Sequence, residues 1–90
     1  MTSLEDLRRQ IDDIDDALVG LYLKRLAVCE QVADVKRQSM TNVRDTAREN
    51  AVIERLTRGL DEEKTAAIKA LYDTVFDTSR ALQNKRLGKA

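Results

Sequence analysis

The sequence predicts an all-α protein of three helices: one long at the N-terminus, one short and one of medium length. A second copy completes an intertwined homodimeric helical bundle. Three observations carry this expectation. Apolar residues recur at alternating steps of three and four, as Leu4, Leu7, Ile11, Ile14, Leu18, Leu21, position 25, Val28, Val32 and Val35, which lines one face of a helix. The 90 residues contain no proline and three glycines, with 36% charged and 3% aromatic residues, the balance of a helical chain rich in Ala, Leu, Glu, Lys and Arg. A helix of ~35 residues is ~50 Å long, whereas a compact domain of this size has a radius of gyration near ~12 Å. The long helix must therefore overhang its own domain. Its apolar stripe runs the whole length, so the overhang needs a partner, most simply a second copy.

Each element has its own signals. The first helix runs from about Leu4 to about Gln38 with Ser3 as N-cap, and Gly20 weakens it without breaking the pattern. "SMTNV" is a connection. "DTARENAVIERLTRG" carries a capping box of Thr46 with Glu49 and ends at Gly59 as the first residue beyond the helix. "DEEKTAAIKALYDTVFDTSRALQNKRL" starts at Asp61 as N-cap, with acids in its first turn and basic residues near its end, as the helix dipole favours. Its stripe is Ala67/Ile68, Leu71/Tyr72, Val75/Phe76, Ser79 and Leu82. Residues 1–90 form one domain, without repeats or linkers.

Composition excludes several function classes. Sixteen basic and sixteen acidic residues give zero net charge, so the bulk electrostatic footprint of a nucleic-acid or anionic-membrane binder is missing. The lone Cys29 makes no internal disulfide and no cysteine metal site. No apolar run reaches membrane-span length and no signal-peptide core precedes the first helix, so the expected compartment is the cytoplasm. Histidine is absent, which removes the commonest general base near neutral pH. An enzyme of this composition is expected to need neither nucleophile nor metal.

Polar residues stand where a scaffold would be apolar. Nine of the ten seam positions are aliphatic and the tenth is Arg25, a costly charge unless it is paired or binds something. Lys36 follows eleven residues later, almost on the same face and ~16 Å along the axis. Arg8 lies ~25 Å before Arg25 and is rotated by about 100°, so the two meet at one ligand only if an antiparallel partner supplies Arg8. Asp45, Arg48 and Glu49 share a face at i, i+3 and i+4, and Ser79 and Gln83 sit one turn apart. Cations, amide and hydroxyl donors and one or two carboxylates suit a small dianion bearing a hydroxyl. Ordinary roles compete. Arg25 can pair with an acid across a dimer, and Lys36 and Arg48 can be solvated. Glu49 can be only a capping acid and Asp45 a flanking cap. Ser79 can bond its own backbone, and Gln83 can be exposed.

At this point the chain resembles the all-helical chorismate mutases, whose small members are intertwined three-helix dimers. The likeness begins at "LEDLRRQIDDIDDALVGLYLKRLAVCEQVADVK", continues through "VRDTARENAVIERL" and ends at "DTSRALQ", covering nearly the whole chain. It implies conversion of chorismate to prephenate, an intramolecular Claisen rearrangement in phenylalanine and tyrosine biosynthesis that needs no base, nucleophile or cofactor. It also implies roles for the matching residues. Arg8 of the neighbouring subunit and Arg25, helped by Arg48 and Ser79, bind carboxylates. Lys36 and Gln83 donate to the breaking ether oxygen. Glu49 and the region of Asp45 engage the ring hydroxyl. The connection "QSMTN" and the basic end "NKRLGKA" depart from the family pattern.

Two rival readings remain at this stage. An isochorismate–pyruvate lyase resembles the same fold, although Glu49 at the hydroxyl position favours the mutase. A non-catalytic helical dimer is the rival from another class.

Overall fold

The computed structural model describes residues 2–39 and 42–88. Three helices appear in order: α1 (Leu4–Ser39), α2 (Thr46–Thr57) and α3 (Glu62–Arg86). The boundaries fall within about one residue of the sequence expectation, and α3 packs on both α1 and α2. Met40 and Thr41 of the expected connection, and Lys89 and Ala90 of the basic end, lie outside the described residues.

Local chemistry explains the helix ends. Ser3 Oγ accepts from the Asp6 backbone N–H at 3.1 Å, satisfying one of the donors left open at a helix start. Asp61 does the same for Lys64 at 2.8 Å. At the end of α2, Gly59 takes φ +80°, a left-handed conformation that glycine adopts without a side-chain penalty. One expected cap is corrected. Asp45, not Thr46, caps α2, accepting from the Arg48 N–H at 3.0 Å. Thr46 is therefore the first helical residue and Glu49 lies one place too late for a capping box.

The single chain is elongated. Its radius of gyration is 16.5 Å and its longest dimension 57 Å, so α1 does overhang the rest. Among the described residues the buried apolar side chains are Ala33, Val43, Val52 and Val75. All nine aliphatic residues of the α1 seam are exposed, from 39% for Val32 to 65% for Leu21 and Val35. These residues form an exposed apolar row along one face of α1. No described helix is long and apolar enough to cross a membrane.

Polar clamps fix α3 against α1. The Arg86 fork donates to both carboxylate oxygens of Asp34 at 3.1 and 3.0 Å and to Glu30 at 3.1 Å. Tyr22 bonds Thr78 closer to the middle. The hydrogen bond from Arg86 holds the Asp34 carboxyl below the usual carboxylate range. Its stabilising effect is thus present above the ordinary carboxylate pKa and lost as pH falls through the lowered value.

The caps give a direct test of local stability. Asp61→Ala removes the acceptor for the Lys64 N–H and should cost about 1 kcal/mol. Urea unfolding at fixed protein concentration should show a lower midpoint with an unchanged slope. An unchanged midpoint would mean that solvent satisfies this helix start equally well.

Candidate active site

Each helix presents one polar-edged face to a common cleft of about 290 Å³. From α1 come positions 25, 28, 29, 32 and 36, all within the i, i+3, i+4, i+7, i+11 pattern of one helical face. From α2 and its cap come 45, 48, 49 and 52, and from α3 come 76, 79, 80 and 83, the same spacing twice more. Val28, Val32, Val43, Val52 and Phe76 supply apolar walls. Seven of the residues singled out from sequence line this cleft: Arg25, Lys36, Asp45, Arg48, Glu49, Ser79 and Gln83. Arg8 does not. It is exposed on the overhanging half of α1.

Arg25 stands at the border between the apolar seam and this cleft. Its guanidinium carbon lies 5.8 Å from the Tyr72 ring centroid and 5.9 Å from that of Phe76, within cation–π range. The two rings meet edge-to-face at 5.5 Å. Nη1 also points to Cys29 Sγ at 3.7 Å. Within the described chain Arg25 enters none of the ion pairs. Aromatic faces hold the cation in place without using up its charge.

The donors form a connected set. Lys36 Nζ donates to the Val43 carbonyl at 2.7 Å, which ties the end of α1 to the segment entering α2. Two of its three N–H groups remain for a ligand. Gln83 is 5% exposed and Ser79 6%, so the alternative of a solvent-exposed Gln83 is excluded. Gln83 Nε2 donates to Ser79 Oγ at 3.0 Å, and Ser79 Oγ donates to Cys29 Sγ at 3.0 Å. Gln83 Oε1 is the buried side-chain polar atom without a protein partner among the described residues.

Glu49 is the shielded carboxylate of the cleft, and its partner is Arg80, not the start of α2. Arg80 donates to Glu49 with one arm and to Asp77 with the other. The hydrogen bond to Glu49 leads the causes that push the Arg80 guanidinium pKa further up. Asp45 already spends one oxygen on capping α2. Four cations, Arg25, Lys36, Arg48 and Arg80, face two carboxylates, Asp45 and Glu49, across the cleft. Within the single chain the balance is two positive charges, which favours an anionic ligand.

Sequence reasoning missed two of these residues. Arg80 is one step off the apolar stripe of α3 and looks like any surface arginine. Cys29 breaks no pattern in the sequence, although its i+4 spacing from Arg25 puts both on one face.

The family described as chorismate mutase type II matches residues 7–84. The chain is 36% identical over 76 residues to a protein named T-protein from Haemophilus influenzae; the match covers 84% of this chain and 20% of that protein. It is 26% identical over 87 residues to a protein named chorismate mutase from Methanocaldococcus jannaschii, covering 93% of this chain and 87% of the relative. No solved structure matches significantly. Since the family match takes in α2, most of α1 and α3, and every residue that lines the polar cleft, the chain belongs to the chorismate mutase type II family.

Proposed function

We propose that residues 1–90 act as a single cytoplasmic domain that rearranges chorismate to prephenate in a homodimer with shared sites. The observation that carries this reading is the net-positive cleft with the buried Gln83 and the Lys36 ammonium on its wall. In the reaction the ether C–O bond breaks as a C–C bond forms between the enolpyruvyl arm and the ring. No atom is gained or lost, and no base or nucleophile is required. The protein has two tasks. It holds the arm over the ring, an orientation effect, and it stabilises charge developing on the ether oxygen, an electrostatic effect.

Arg25, braced on Tyr72 and Phe76, clamps one carboxylate with help from Arg48 and Ser79. Arg8 of the partner subunit clamps the other. Lys36 and Gln83 donate to the ether oxygen, and Glu49 with the Asp45 region takes the ring hydroxyl. The dimer is supported by the nine exposed aliphatic residues of α1. It is also supported by an apolar cleft of about 480 Å³ between α1 and α3, where the seam residues Leu18 and Leu21 face Leu71, Tyr72 and Val75. Antiparallel pairing along that seam carries Arg8 across the ~25 Å that separates it from Arg25 within one chain.

Incubating the purified protein with chorismate, following its loss and identifying the product tests the activity. Prephenate should accumulate on the order of 10⁶-fold faster than without protein, at the lower end of enzymatic accelerations. Release of pyruvate from isochorismate instead would favour the lyase, and no acceleration with either substrate would leave a non-catalytic dimer.

A further inference from the structure

Glu49 is an awkward residue for a cleft that takes a dianion, because a shielded carboxylate repels the ligand it is meant to hold. The structure contains a remedy that neither the seam pattern nor the capping signals indicated. Arg80 and Glu49 bridge α3 and α2 with side chains only 19% and 18% exposed, while Asp77, on the other arm of Arg80, is 71% exposed. Asp77 tethers the guanidinium from the solvent side and Glu49 receives it on the cleft side. The contact engages Oε2 of Glu49.

We propose that Arg80 is a positioning residue for the reaction: by holding Oε2 of Glu49 it fixes and neutralises that carboxylate, leaving Oε1 to accept the ring hydroxyl. The proposal rests on the chorismate mutase reading given above and deepens it. Charge and shielding both argue for it. Without Arg80 the shielded Glu49 carboxylate would face a dianionic ligand with no ion-pair partner of its own. Removing one partner of a shielded pair also leaves the other as an uncompensated charge. The raised Arg80 pKa, led by its hydrogen bond to Glu49, agrees with a tight pair.

The test is a double-mutant cycle of Arg80→Met and Glu49→Gln, read as kcat and KM for chorismate, with circular dichroism and melting curves for each protein. Wild type is measured first, since an inactive wild type overturns the mutase reading and this inference together. With an active wild type, Arg80→Met should lose about tenfold in kcat/KM, mostly as a raised KM, because the hydroxyl is bound in ground and transition states alike. In the Glu49→Gln background the same substitution should change kcat/KM by no more than about twofold, because the group it positions is no longer a carboxylate. A merely structural arginine would lower the melting temperature and would act independently of residue 49. An unchanged Arg80→Met, or a tenfold loss that reappears in full on top of Glu49→Gln, overturns the proposal. Should Arg80→Met fail to fold, Arg80→Gln keeps one donor without the charge and is judged by the same non-additivity.

Discussion

Gln83→Glu should be a poor enzyme at pH 7.5 that gains activity as the pH falls toward 5. The amide of Gln83 donates at any pH, because it does not titrate, whereas a carboxylate at the same place only accepts until it is protonated. Facing developing negative charge on the ether oxygen, the carboxylate variant loses a transition-state donor, a deficit of roughly 3–4 kcal/mol. Position 83 is 5% exposed, and burial raises the pKa of a carboxyl group. The cations of the cleft, Arg25, Lys36, Arg48 and Arg80, act the other way, and the carboxylates of Asp45 and Glu49 act with burial. Lowering the pH restores an O–H donor and with it part of the lost stabilisation. The parent should stay comparatively flat over the same range. The measurement is kcat/KM for chorismate against pH in both proteins, with circular dichroism confirming that each is folded. A flat profile for the variant would mean that residue 83 does not touch the ether oxygen.

The helices were legible because their signals agree at several levels. A seam with nine aliphatic residues in ten positions, caps at Ser3 and Asp61, a glycine beyond α2 and no proline all point to the same three elements. The expectation of a partner came from the length of the first helix together with an apolar stripe that runs its whole length, and every aliphatic residue of that stripe is exposed in the single chain.

Cap assignment was less secure, for a physical reason. Asp45 and Thr46 are both good N-caps and stand side by side. Choosing Thr46 rather than Asp45 moves Glu49 into capping-box register, where its bond to Arg80 cannot be foreseen.

The cleft was partly legible. Arg25 stood out because a charge interrupted an apolar series, and Ser79 because a hydroxyl interrupted another. Pattern breaks of this kind mark where local rules yield to a site. What held Arg25 was not legible, because periodicity does not say which rings of α3 meet which face of α1. The structure supplies Tyr72 and Phe76. Arg80 breaks no pattern, so only the packing of α3 on α2 reveals it. Arg8 is different again, since no single chain brings it to the cleft.

The central claim is that each site takes Arg25 from one chain and Arg8 from another, and one mixing experiment tests it most directly. Arg8→Ala and Arg25→Ala homodimers should each be nearly inactive, since each lacks one carboxylate clamp in both of its sites. Unfolding the two variants together in equal amounts and refolding the mixture makes heterodimers of half the dimers. Each heterodimer contains one site with both arginines and one with neither, by the symmetry of an isologous pair. The mixture should therefore recover about a quarter of the activity of an equal amount of wild type. Native mass spectrometry counts the heterodimers in the same sample. Recovery near that value is the result expected of a shared site, and heterodimers present in the expected amount with no recovered activity would contradict it.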